Sequence, residues 1–254
     1  MKRQACVALG LSLCVSLPAA AEFSMSLGVE SFRWDEATTP SVSEDGPLLA
    51  LGIAYTQEKD AGLLFAYRGR AYLGDVDYNG AGLFTGQPIQ GTTTYTGMSN
   101  EVQARWRVPA ENQYRTDLLF AVGLDVWERQ LTSFQSEDYR VGFFRLGAEA
   151  TPAGKAGWTL GAGVKYPFYV DEDAHLNEIG FDSNPTLKPE GNVSFFAQFG
   201  YYFNEKIRLI AYYDSFDFDE SPQEPVSFNG TQGFVFQPAS EMRIIGLKLD
   251  YRFF

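Results

Sequence analysis

Apolar and polar residues alternate with period two along most of the chain. Phe23, Met25, Leu27 and Val29 alternate with Ser24, Ser26 and Gly28, and Leu49, Leu51, Ile53 and Tyr55 alternate with Ala50, Gly52 and Ala54. Leu118, Phe120, Val122 and Leu124 alternate with Ala121, Gly123 and Asp125. Near the end, Ile245, Leu247, Leu249, Tyr251 and Phe253 alternate with Gly246, Lys248, Asp250 and Arg252. Similar runs cover 63–71, 101–106, 144–149, 158–166 and 193–201, with a weaker one over 206–216. Period two predicts strands, each with one apolar face and one face of Gly, Ser and charge. A soluble sandwich and a lipid-facing barrel both produce this alternation, so other features must choose between them.

Three features favour the barrel. The connections alternate in length. Short ones are expected around Gln57–Asp60, Pro109–Tyr114, Thr151–Ala156 and Asn204–Glu205; long ones around Asp35–Pro47, Gly74–Thr92, Gln130–Glu137, Asp171–Gly191 and Asp217–Gln237. Short periplasmic turns with long external loops are the outer-membrane pattern. Aromatics gather near predicted strand ends, at Phe32 and Trp34, at Tyr166–Tyr169 and at Tyr201–Phe203, as interfacial girdles would. The chain also ends in Tyr251-Arg252-Phe253-Phe254, which resembles the C-terminal aromatic signal read by the barrel-insertion machinery of bacterial outer membranes. The expected fold is therefore all-β: a transmembrane antiparallel up-and-down β-barrel of ten strands, with eight and twelve as the other even counts. It must close on itself, because lipid offers no hydrogen bonds to an open edge. Arg68, Arg70, Glu101, Arg105, Asp125, Arg145, Glu149, Lys165, Lys248 and Asp250 should point inward and fill the lumen as a packed polar core.

Residues 1–21 read as a cleaved export leader: basic Lys2 and Arg3, an apolar run to Leu17, then Ala19-Ala20-Ala21. Residues 22–254 then form one barrel domain. Cys6 and Cys14 both lie in the leader, so the processed chain has no disulfide, thiol nucleophile or thiolate metal site. The formal net charge is −12, and removing Lys2 and Arg3 takes it to −14. That excludes a phosphate-backbone binder, hence nucleic acid, and suits cations or cationic peptides.

Candidate chemistry is confined to two acidic segments. The only histidine, His175, follows Asp171-Glu172-Asp173-Ala174. An imidazole beside a carboxylate can act as a general base on water. The segment Gly74-Asp75-Val76-Asp77-Tyr78-Asn79-Gly80 follows the third strand. Strands three and seven stand nearly opposite in a ring of ten, so the two segments are expected to face each other across the mouth. Asp75, Asp77 and Asn79-Gly80 also resemble the first half of a calcium loop, but its twelfth position is Gly86 where a bidentate Glu is needed. Asn79-Gly80 reads instead as a turn.

The processed chain resembles the omptins, ten-stranded outer-membrane proteases, through Met25-Ser26-Leu27-Gly28, Lys165-Tyr166 with its acidic loop, Gly200-Tyr201-Tyr202 and the final strand. The omptin D-x-D and D-x-H pairs would match Asp75 with Asp77 and Asp173 with His175. The resemblance implies that Asp173 orients His175, that His175 activates water with Asp75 or Asp77, and that Glu36 and Asp171 hold a basic substrate side chain. It also implies lipopolysaccharide as a partner. The other class left open is a non-catalytic outer-membrane barrel with structural, adhesive or binding duties.

Overall fold

The computed structural model describes residues 21–82, 86–108, 113–154 and 156–253. The expected leader, apart from Ala21, lies outside these residues, as does Phe254. In chain order the strands are β1 (Ala21–Glu36), β2 (Val42–Gln57), β3 (Gly62–Ala81), β4 (Pro88–Val108), β5 (Tyr114–Gln130), β6 (Ser136–Pro152) and β7 (Gly157–Asp173). Two short pieces follow, β8 (Thr186–Leu187) and β9 (Glu190–Asn192), then β10 (Ser194–Tyr202) and β11 (Ile207–Asp219). A small hairpin, β12 (Glu224–Phe228) and β13 (Thr231–Val235), precedes β14 (Ser240–Arg252).

Ten of these strands, β1–β7, β10, β11 and β14, form one closed antiparallel ring. The seam joins β1 to β14 from Ser24↔Arg252 to Glu36↔Ser240, and β10 bridges β7 and β11. Closure gives every barrel strand a neighbour on each side through the middle of the wall, which satisfies the backbone without water.

Outward positions form an apolar belt: Met25, Leu27 and Val29 on β1, Leu49, Leu51 and Ile53 on β2, Leu118, Phe120, Val122 and Leu124 on β5, and Ile245, Leu247 and Leu249 on β14 are all exposed. Trp106, Tyr114, Trp158, Phe203, Tyr251 and Phe253 are exposed toward the end of the barrel that carries the short turns, while Tyr166, Phe168 and Tyr169 are exposed toward the loop end. These aromatics suit girdles at the two margins of the belt.

Above the belt, toward the loops, the pattern inverts. On β1 the outward row continues as Ser31, Arg33 and Asp35, while Phe32 and Trp34 point inward and are 0% exposed. Phe32 and Trp34 therefore belong to the interior and not to a girdle. The same exchange occurs on β3, where outward Leu73 is followed by outward Asp75 and Asp77 with Val76 buried, and on β5, where outward Leu124 and Val126 give way to Glu128 with Trp127 buried. The inverted segments remain strand, so several expected loops are shorter than the sequence implied. Gly74–Thr92 is almost wholly β3 and β4, which end at Ala81 and begin at Pro88, with Gly86 in a left-handed conformation (φ 63°), so Asn79-Gly80 is strand and not turn.

The lumen has two compartments. All ten charged residues expected inside do point inward; Asp125 and Lys165 border the loop-end rings of Tyr72 and Phe216, and the other eight lie toward the turn end. Arg68 and Arg105 share Glu149, Arg107 takes Asp117, Arg145 lies 3.1 Å from Glu101 and 2.9 Å from Asp214, and Arg208 meets Asp250 at 2.9 Å. They line a cavity of about 730 Å³. Toward the loop end the interior is not a polar core. Phe32, Trp34, Tyr72, Val76, Tyr95, Trp127, Tyr139, Phe143, Phe216, Phe218 and Met242 pack into one buried apolar cluster. Trp127 stacks on Tyr139 at 4.8 Å between ring centroids. Inward glycines make room for these rings: a Cβ on Gly97 would stand 2.5 Å from the ring of Tyr72, and one on Gly123 2.2 Å from that of Phe143.

Candidate functional site

The acidic residues singled out from the sequence are distributed by strand parity. Asp75 and Asp77 share the outward phase of Leu73 and are exposed. Asp75 accepts a hydrogen bond from Thr94 Oγ1 of β4 at 2.7 Å, and Asp77 stands in register between Asp45 and Thr92. Asp171 and Asp173 are likewise outward on β7, because the inward phase there is taken by buried Val170 and Glu172. The β3 pair and the β7 pair thus lie on the outer surface of the wall, with three strands between them, and do not face each other across the mouth. Alternate outward placement on an extended strand also keeps Asp75, Asp77 and Asn79 from wrapping a cation. No group of acidic or histidine side chains able to hold a metal ion occurs among the described residues.

The D-x-H pair does assemble locally. His175 takes the left-handed conformation (φ 49°) just before a short 3-10 turn, Leu176–Ile179. Its Nδ1 lies 3.8 Å from Asp173 Oδ1, and its Nε2 is 3.2 Å from Asp138 Oδ2. Asp138 comes from β6, directly in register with Asp173. Asp173 also accepts hydrogen bonds from Asn184 Nδ2 at 2.6 Å and from the His175 backbone N–H at 3.1 Å. This end of β7 stands above the belt. Partial burial pushes the Asp173 carboxyl up, but these bonds outweigh it and hold the group below the ordinary aspartate range. The imidazole is thus flanked by two carboxylates on the outer rim. Asp138 was not apparent from the sequence, because only strand register brings it there.

Glu36 lies elsewhere, inside the loop end. Arg129 Nη1 donates to Glu36 Oε1 at 2.9 Å and to Glu137 Oε2 at 2.8 Å, and Arg129 Nη2 donates to Glu44 Oε1 at 3.1 Å. Trp34 Nε1 also donates to Glu36 at 2.9 Å, and Thr93 and Tyr95 hydroxyls donate to Glu44. The Arg129 guanidinium sits 5.4 Å above the Trp34 ring. Glu172 completes the acidic layer and accepts a hydrogen bond from the Gln237 side-chain amide at 3.2 Å. Glu36 is therefore engaged by the protein's own arginine, and Asp171, on the outer face, accepts a hydrogen bond from the Tyr169 hydroxyl instead of sharing a pocket with it.

The longest external segments pack on each other. The 3-10 turn after β7 and the β12–β13 hairpin share a small apolar cluster of Ala174, Leu176 and Val226, with Ile179, Phe181 and Val235 against it. The hairpin turns at Asn229-Gly230, both at positive φ (51° and 78°), as a tight hairpin requires.

No family model matches the chain, and no curated protein sequence matches it. Solved structures do. The outer membrane protease OmpT of Escherichia coli superposes with a TM-score of 0.55 at 12% identity, over 93% of this chain and 97% of that one. The transport unit of the autotransporter AIDA-I from Escherichia coli gives 0.47 at 11% identity, over 97% of this chain and 94% of that one. What is shared with OmpT is the fold, a closed ten-stranded barrel. With its apolar belt, aromatic margins and sealed backbone, the chain is a membrane-spanning β-barrel resembling the omptins in architecture.

Proposed function

We propose that this protein is a non-catalytic barrel of the bacterial outer membrane, sealed along its axis, whose loop end faces outward and serves a structural, adhesive or binding role. The observation that carries this reading is the aromatic cluster from Phe32 to Met242, capped by the Arg129–glutamate layer, which fills the lumen where a solute would have to pass. A second observation supports the absence of peptide hydrolysis: Asp75 and Asp77 stand on the outer wall four strands along the ring from the one that His175 follows, so no single water touches both groups. Lipopolysaccharide and outer-leaflet lipid would surround the belt, and Tyr251, Phe253 and Phe254 would serve recognition by the insertion machinery.

Barrel refolded in lipopolysaccharide is to be incubated with a fluorogenic peptide carrying paired basic residues, and incorporated in parallel into planar bilayers. No cleavage and no conductance steps are expected. Cleavage that disappears in both Asp77→Asn and His175→Ala would replace this reading with the omptin-like protease, and open-channel current would replace it with a pore.

A further inference from the structure

We infer that the upper edge of β4 is a docking site for an extended, basic polypeptide segment, which adds to the barrel wall as an extra strand. The inference deepens the binding role proposed above. On its β3 side, β4 is paired up to Pro88↔Ala81, but on its β5 side the last pair is Thr94↔Gln130. Pro88, Ile89, Gln90, Gly91, Thr92 and Thr93 therefore carry an open edge six residues long, and no described residue pairs with their backbone on that side. The neighbouring barrel strands are different: β1 with β2, β5 with β6 and β1 with β14 are paired to their loop ends.

Open edges are ordinarily blunted with lysine, proline or a bulge, because alternate backbone N–H and C=O groups are left without partners. Between Ile89 and Thr93 this edge has none of these, and the four residues Ile89 to Thr92 are exposed. The free edge of β13 differs, since it belongs to a five-pair hairpin with no third strand of its own. The β4 edge instead continues a twenty-pair ladder with β3 and is held at the correct twist by the wall. An added strand needs such a rigid template, with backbone bonds giving affinity and alternate side chains giving selectivity.

The charge of the guest follows from the surroundings. On the outer side, the added strand would stand above Glu128 of β5, with Asp77 of β3 across β4 beyond Thr92. Beneath the edge, Thr93 bonds Glu44 of the Arg129 cluster, in which three carboxylates meet one guanidinium. Inside Gly91 there is open space where a side chain would stand, so a guest side chain can enter there. The outer row of guest side chains thus meets net negative charge, which selects lysine or arginine.

The full barrel, refolded in zwitterionic micelles, is to be titrated with a nine-residue peptide of alternating Lys and Thr. Its counterpart N-methylated at alternate amides and a Glu-for-Lys version serve as controls. Binding is read by fluorescence anisotropy and by backbone amide exchange at Ile89–Thr93. The expected result is slowed exchange at alternate amides of this segment, about tenfold or greater weakening by N-methylation, and no binding of the Glu peptide. In the pair Gly91→Pro and Thr92→Pro, only the variant whose N–H faces β5 should lose binding with the barrel intact. Three results would overturn the assignment: no binding at millimolar peptide, binding without amide protection, or protection that appears without peptide as barrel concentration rises, which would mean a second copy occupies the edge. Cleavage of the peptide with protection intact would instead overturn the non-catalytic reading and leave the edge site standing.

Discussion

The two halves of the lumen are built from the same ten strands and the same inward parity, yet they hold opposite contents. Toward the turns, Arg105, Glu149, Arg145, Glu101, Arg208 and Asp250 surround a roomy cavity. Toward the loops, Trp34, Trp127, Tyr139 and Phe216 pack ring against ring. The exchange happens where the outer face turns from Val29 and Leu124 to Arg33 and Glu128. The two changes have one cause. Inside a bilayer the outer face is already in contact with hydrocarbon, so hiding apolar groups in the lumen offers little, and charges can fill it in mutual pairs. Where water bathes the outside, the hydrophobic effect again favours an apolar interior, so the upper wall folds as a soluble domain does. The inside of this barrel is thus set by what lies outside it.

The largest effects should come from the upper half. Trp34→Ala should cost about 3–5 kcal/mol through the cavity it leaves, and Arg129→Met a comparable amount by leaving Glu36, Glu44 and Glu137 without their counter-charge; both are measurable by urea unfolding of micelle-refolded barrel. If either variant were near wild type, the upper half would not be a true core. Next comes an outward pair. Val122→Arg, in the belt, should cost roughly 2–4 kcal/mol in lipid, while Thr94→Arg, outward above it, should stay within about 0.5 kcal/mol. Equal costs would move the water boundary away from the level drawn here. In the lower half, Arg68→Gln should lose no more than about 1 kcal/mol, because Arg68 is 30% exposed to the cavity and makes one ion pair, with Glu149. Smallest of all, Asp77→Asn should shift the unfolding midpoint by the equivalent of at most about 0.5 kcal/mol, as befits an exposed carboxylate on the outer wall.

Much of this was legible in the residues. The belt, the ring of ten and the ten inward charges followed from period two together with the requirement that a membrane sheet close. The inversion did not, because alternation by itself does not say which face meets lipid. Ser31-Phe32-Arg33-Trp34-Asp35 alternates as cleanly as Phe23 to Val29 but in the opposite phase, and nothing local separates such a segment from girdle and loop. The weak parity of 206–216 was the inversion itself, since Leu209 and Ala211 face out whereas Phe216 and Phe218 face in. At the site, His175 and Asp173 are two residues apart, so their meeting was readable. Asp138 reaches them only through the pairing register of β6 with β7, and Arg129 claims Glu36 from 93 positions away. Neither contact leaves a local trace. That Asp75 and Asp77 share the phase of Leu73 was available from counting alone.

The seam sets an order of events. Ser24 pairs with Arg252, so the ladder between β1 and β14 joins positions more than two hundred residues apart. Nucleating it carries a large loop-closure entropy, and contacts this distant in sequence form slowly. Until β14 arrives, β1 must wait with thirteen residues of uncovered backbone. The vulnerable species in this protein's life is therefore a nearly finished, still-open sheet, and whatever shields that waiting strand governs yield more than any contact in the completed wall.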